Sequence, residues 1–337
     1  MRRPLLALLT GALAGLSLVL PAVAPAGAAP AATHLFPRVL KYGALGNDNS
    51  FPAAYATSVL QPDRDPLGAN DWSCRPTAAH PRPVVLVHGT WENAYGNWNG
   101  LSPMIKHEGY CVFALNYGNS TGLRFLNGTG DMIASAREVA AYVDRVLAAT
   151  GAAEVDLIGH SQGGALIRYY TNILGGAPKV NQVIALAPSN HPTTLSGITE
   201  LGKLVRLFGP AMTGLDLIGM PAAAQQADQS PGPQAPFYQQ VNGQGETLAG
   251  EKYVTIATRN DEVVTPHDRA FLTAVPGATV KNITIQDKCA LDQSEHVSLP
   301  YSKNVAQIVL NELDPSDTYP LFCYAQAPVV GNTQAVG

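Results

Sequence analysis

Charge is scarce in this chain. Asp, Glu, Lys and Arg make up only 14% of its 337 residues, against the usual quarter or so, which excludes a highly charged disordered chain and a long coiled coil. Basic residues are not in excess: 21 Lys plus Arg face 25 Asp plus Glu. No surplus exists to neutralise phosphates, so no nucleic-acid partner is expected. Beyond the first thirty residues no apolar run reaches the length of about 18 that a membrane span needs, so no transmembrane segment is expected in a mature chain. Cysteine is limited to four residues, without a Cys-x-x-Cys pair or Cys/His cluster, so no metal or other cofactor is implied. The 32 glycines and 26 prolines follow no period, which excludes collagen-like and repeat architectures. What is abundant is apolar: 46% of the chain, enough for a large core.

The first residues have the form of an export signal. Arg2 and Arg3 precede an apolar stretch over 5–20, Pro21 breaks it, and Ala26-Gly27-Ala28 supplies the small-x-small pattern that a signal peptidase needs. A retained signal anchor would have the same opening, but the run is short for a span. The expectation is a signal peptide over 1–28, an N-terminal extension over 29–75, and a secreted, extracellular, monomeric protein. An even cysteine count in an oxidising compartment implies two disulfides, and four cysteines allow three pairings. Pairing neighbours would join Cys74 to Cys111 and Cys289 to Cys323. Each loop of roughly 40 residues would then constrain the unfolded chain by about 4 kcal/mol.

Strand-like and helix-like stretches alternate along the rest. Short apolar runs lie at 84–87, 111–117 and 155–158, and further β-rich runs at 183–186, 253–258 and 280–285. Unalternated runs of this kind read as strands buried on both faces of a parallel sheet. Ile133, Ala136, Val139, Ala140, Val143 and Val146 form a stripe at helical spacing that Gly151 ends. Residues 162–174 and 302–313 read as further helices. The pattern predicts an α/β protein with a mostly parallel, doubly wound sheet, helices on both faces, and a site beyond the carboxyl ends of the strands.

At the end of the third run the sequence reads Gly159-His160-Ser161-Gln162-Gly163. This is Gly-x-Ser-x-Gly between a strand and a helix, the nucleophile elbow, whose tight turn requires the small residues and holds the serine above the sheet. The pattern alone is weak, since Gly118-Asn119-Ser120-Thr121-Gly122 matches too; no helical continuation follows that copy, so Ser120 reads as a loop serine. In this architecture the chain order is serine, acid, histidine. Of eight histidines only His267 and His296 lie far enough downstream, and His267 is six residues from the best acid candidate, too near to bridge it to the serine. His296, between the last strand and the last helix, is the expected base. Asp261, directly after the fifth run, is the expected acid; Glu262, Asp287 and Asp292 read more simply as solvated loop charges. An oxyanion needs two donors, and these are expected from the backbone N–H groups of Gln162 and Thr90, in the turn His88-Gly89-Thr90-Trp91. The Thr90 hydroxyl offers a third. Trp91, Tyr95 and Trp98 suit either a site lining or the core.

These motifs in this order resemble the secreted bacterial class 2 triacylglycerol lipases of the α/β-hydrolase fold, and are also similar to the fungal B-type lipases. The likeness runs from about Asn70 to Cys323, through the residues at 83–90, 161–164, 185–189, 260–266 and 295–299. It implies a catalytic domain over 76–323, a serine, aspartate and histidine triad of Ser161, Asp261 and His296, an oxyanion hole at Thr90 and Gln162, and the two neighbour disulfides. His88 and His160 are nearer the bacterial pattern than the fungal one. The implied substrate is an acylglycerol or other ester, met at a lipid–water interface. The insertion at about 195–241 matches neither group. Leu201, Leu204, Val205 and Phe208 recur there at helical spacing, followed by Met212, Leu215, Leu217, Ile218 and Met220. A mobile apolar lid and an immobile cap both fit that pattern. The elbow itself leaves a polyester hydrolase, an acyltransferase or a catalytically silent binding protein open. The tail at 324–337 has no pattern.

Overall fold

A computed structural model describes residues 49–208, 213–227 and 236–331. The expected leader at 1–28, much of the extension and the last six residues of the tail lie outside these.

Six parallel strands form one sheet in the order β2-β1-β3-β4-β5-β6, with β1 at Val84–Val87, β2 at Val112–Leu115, β3 at Val155–His160, β4 at Val180–Leu186, β5 at Lys252–Ala257 and β6 at Thr279–Thr284. The order turns back on itself at β1, which lies between β2 and β3, the crevice position expected for a site in a doubly wound sheet. All four residues of β1 and all six of β3 are buried, as their continuous apolar runs require. Strand β6 departs from the expectation of burial on both faces: it is one of the two sheet edges and, unlike β2 at the other, most of its residues are partly or fully exposed.

Successive side chains of a strand point to opposite faces, and the core divides accordingly. Val84 and Leu86 pack with Ile158, Ile184, Ile256 and the helix Lys303–Leu313. Val85 and Val87 pack with Phe113, Leu157 and the helices Met132–Thr150 and Gln162–Asn172. The predicted stripe on Met132–Thr150 is its buried face, through Ala136, Val139, Val143 and Val146. Gly151 ends that helix in the left-handed region at φ 73°, where a side chain would be strained.

A third apolar cluster lies above the carboxyl ends of the strands. Ile198, Leu201 and Val205 of the helix Leu195–Phe208, with Leu217 and Ala223, meet Trp91, Val263 and Val297, and Phe51 and Tyr55 of the helix Phe51–Leu60 join them. The insertion is thus packed against the loops that leave β1, β5 and β6. Trp91 and Tyr95 belong to this cluster and Trp98 to the core below, all three buried, so they are core residues. Both neighbour disulfides are present, Cys74–Cys111 with Cα atoms 5.7 Å apart and Cys289–Cys323 at 4.9 Å. No helix among the described residues is long and apolar enough to cross a membrane.

Candidate active site

The elbow owes its shape to absent side chains. A Cβ at Gly159 would lie 2.6 Å from the backbone of Gly163, and one at Gly163 would lie 2.1 Å from the carbonyl oxygen of Val87 on β1. Neither contact is tolerable, so the turn can close only with glycine at both positions. Between them Ser161 is driven to φ 53°, an uncommon conformation for a residue with a side chain and one that clusters at functional sites. Its N–H donates to Leu186 O at 2.9 Å, pinning the turn to β4.

Ser161 Oγ is 2.9 Å from His296 Nε2, and His296 Nδ1 is 3.0 and 3.1 Å from the two carboxylate oxygens of Asp261. The serine is 2% exposed and the histidine fully buried. Asp261 lies in the turn after β5, where its Oδ1 also accepts from the backbone N–H groups of Val263 and Val264 at 2.9 and 2.7 Å. The carboxylate is therefore held by its own loop and aimed at the ring. Burial works against a charged His296 ring, but the Asp261 carboxylate outweighs it, with Glu262 and Glu295 adding, and the ring is held up to about 9.

The turn after β1 brings Thr90 beside the elbow. Gly89 lies against it, since a Cβ there would be 3.2 Å from Ser161 Cβ, and the Gly89 N–H donates to Asn97 Oδ1 at 2.7 Å. Gly128, at φ 64°, packs behind the turn: a Cβ on it would lie 2.8 Å from Gly89 O. The side chain of Gln162 faces away, accepting from the Tyr117 hydroxyl at 2.9 Å. Its backbone N–H belongs to the first residue of the helix Gln162–Asn172, directly after the serine.

A sequence profile describing class 2 lipases matches residues 81–308, which span the sheet and every residue of this constellation. The chain belongs to the class 2 lipase family. Curated triacylglycerol lipases of Pseudarthrobacter phenanthrenivorans and Burkholderia plantarii are each 32% identical to it over 153 residues, 39% of this chain and 45% and 40% of theirs. The alignments thus span less than half the length of those relatives. Aspergillus fumigatus lipase B superposes with a TM-score of 0.51 at 17% identity, covering 86% of this chain and 70% of that one. Bacillus licheniformis lipase BlEst2 gives 0.50 at 17%, over 71% and 94%. At such identities the likeness speaks for the α/β-hydrolase fold alone.

The rival candidates of this class 2 lipase family member lie elsewhere or do other things. Ser120 is exposed and bonded to Thr129 Oγ1 at 2.9 Å. His267 opens a short 3₁₀ turn against the Phe271 ring, and Asp287 is a surface partner of Arg259. Two residues read as solvated loop charges are not. Asp292 is fully buried, accepting from Ser294 N, Ser302 Oγ and Asn304 Nδ2 at 2.6–2.9 Å, so it anchors the loop behind the base. Glu262 is partly buried beside the site and accepts from His296 N at 3.4 Å; burial, then Glu295, push its carboxyl up to about 8.

Other residues at the site carry no motif. Gln226, from the helix Pro221–Gln226 of the insertion, donates to Thr90 Oγ1 at 2.8 Å. Glu295 accepts from Val297 N, Ser298 N and, from the described part of the tail, Val329 N. The tail thus packs on the loop that carries His296. Long-range pairs of this kind leave no periodic signal in a sequence. Among the described residues no cluster of three or more His, Cys, Asp or Glu could hold a metal ion.

Proposed function

We propose that this chain is a secreted serine hydrolase of carboxylic esters, a triacylglycerol lipase or esterase, in which Ser161 is the nucleophile, His296 the general base and Asp261 its orienting acid. The observation that carries the reading is the continuous chain from Ser161 Oγ through the His296 ring to a carboxylate held by two backbone N–H groups. Membership of the lipase family and the lipases among its relatives support the ester as substrate class.

In the reaction, Ser161 Oγ attacks the ester carbonyl carbon while its proton passes to His296 Nε2. The carbonyl π electrons move onto oxygen, giving a tetrahedral oxyanion beside the Thr90 and Gln162 backbone N–H groups. Because Gln226 donates to Thr90 Oγ1, the threonine's own hydrogen is free to turn towards that oxyanion as a third donor. Collapse breaks the bond to the alcohol, which takes the proton from His296. Water, deprotonated by the same ring, then attacks the acyl-serine and frees the acid. Asp261 stabilises the imidazolium formed in each half.

Ser161 is only 2% exposed, so access for an ester is narrow. The helices of the insertion pack on Trp91 and Val297, in the loops that flank the serine, and the reading takes them as a lid that moves. The leader at 1–28 and the two disulfides support export.

The test is initial-rate hydrolysis of p-nitrophenyl esters from acetate to palmitate, wild type beside Ser161→Ala. Serine-dependent activity reaching the long chains, and rising abruptly once substrate forms an emulsion, is expected, with turnover lower by about a thousandfold or more in the variant. A folded Ser161→Ala protein within tenfold of wild type overturns the assignment. A rate that only follows dissolved substrate removes the lid.

A further inference from the structure

His160 precedes the nucleophile, is fully buried, and takes no part in the proton path above. Its ring is nonetheless tied to both halves of the site. Nε2 lies 2.9 Å from the backbone carbonyl oxygen of His296, and Nδ1 lies 3.1 Å from Asn97 Oδ1. A carbonyl oxygen only accepts, so Nε2 must donate. The orientation of the Asn97 amide is settled independently, because the same Oδ1 accepts the Gly89 N–H at 2.7 Å. Flipping that amide would set a donor against a donor. Nδ1 therefore also faces an acceptor, and a ring that donates from both nitrogens is an imidazolium.

A buried cation needs a counter-charge, and one is in place. Glu92, 1% exposed, lies with Oε2 at 3.8 Å from His160 Nδ1, and that oxygen has no hydrogen-bond partner among the described residues. Two further titratable groups lie near among the described residues: His296, whose ring centre is 5.0 Å away, and His88, which burial, aided by His160, holds down at about 4 against the hydrogen bond to Gly89. Trp98 meets the ring edge-on, with centres 6.4 Å apart.

We propose that His160 is a positioning residue: kept as an imidazolium by the buried carboxylate of Glu92, it clamps the backbone of the base His296 to Asn97 and through it to the oxyanion turn at Gly89. The inference rests on the reading of Ser161 and His296 given above. Its physical content is that one buried ion pair sets the distance between the base and the oxyanion donors, two parts of the site that follow β6 and β1, with three strands between them in the sheet order. A displacement of about 1 Å between such parts costs up to roughly a hundredfold in rate.

The test is nitrogen-15 NMR of the histidine rings in the full chain at neutral pH, with the His160 signals assigned from a His160→Gln sample. Two protonated ring nitrogens are expected on His160 in the wild type and in Glu92→Asp, and one in Glu92→Gln. In Glu92→Gln kcat should fall by roughly ten- to a hundredfold with KM within about threefold, and Glu92→Asp should recover most of it. One bare ring nitrogen on wild-type His160 overturns the proposal whether or not any variant folds, and so does a Glu92→Gln protein with unchanged kcat. Fluorophosphonate labelling keeps the two readings apart. A wild type that is not labelled at Ser161 overturns the triad; a labelled Ser161 beside a singly protonated His160 overturns the clamp alone.

Discussion

Replacing Asp261 by asparagine probes the charge behind the base with little change of shape. Oδ1 is held by the N–H groups of Val263 and Val264, so the carbonyl oxygen of the introduced amide takes that position and its NH₂ replaces Oδ2, 3.1 Å from His296 Nδ1. Two losses follow. The imidazolium loses the main one of the carboxylates that together bring the buried ring from an ordinary 6.5 to about 9, a shift worth roughly 3 kcal/mol at about 1.4 kcal/mol per pH unit, of which Asp261 carries the larger part, or up to two orders of magnitude in rate. The NH₂ also favours the tautomer with hydrogen on Nε2, which cannot take a proton from Ser161, and such an inversion brings the loss to about 10⁴-fold. The expected result for Asp261→Asn is kcat lower by about 10²–10⁴-fold, measured by pH-stat on tributyrin, with the melting temperature checked by circular dichroism. The pH profile should change as well. Wild-type activity should climb with pH towards about 9, where His296 becomes neutral, while the residual activity of the variant should level off well below that. A folded variant within tenfold of wild type at pH 9, or one with an unmoved limb, refutes the assignment of Asp261.

Three further outcomes follow from the same geometry. Glu262→Gln removes a carboxyl that, once ionised above about pH 8, helps hold His296 up, so the upper part of the rising limb should move to lower pH; a limb that stays or moves up in a kcat/KM profile contradicts this. Gly159→Ala puts a methyl 2.6 Å from the Gly163 backbone, and overpacking of this kind costs about 1–3 kcal/mol or more; thermal melting should drop and fluorophosphonate labelling of Ser161 should fall with it, and an unchanged pair of values would mean the elbow is not as tight as described. The Cys289→Ser, Cys323→Ser double variant opens a loop of 34 residues and should lose about 4 kcal/mol, read from urea unfolding against the wild type; equal midpoints would remove the bridge as a stabilising element.

The strands and principal helices are legible in the sequence because their signals are local. An apolar run such as Val84–Val87 is buried on every residue, and the stripe on Met132–Thr150 repeats at the helical period; both follow from where side chains point on a regular backbone. Strand β6 differs from its expected double burial because the same β-rich run serves an edge as well as a centre. Ser161 is separable from Ser120 through its flanks, a strand before and a helix after. Asp292 and Glu262 are not legible as buried groups, since a carboxylate in a loop looks the same in sequence whether water or a buried amide satisfies it.

By itself, then, the sequence determined the alternation of strands and helices, the glycines that let the elbow close, and the order of the three side chains at the site. Those are properties of short segments and chain direction. Only the tertiary structure decided that Gln226 reaches Thr90 across 136 positions, that Asn97 joins Gly89 to His160, and that Glu92 is buried beside that ring. Contacts so distant along the chain arise when the sheet stacks its loops at one end, and no local periodicity or turn chemistry encodes which of them will meet.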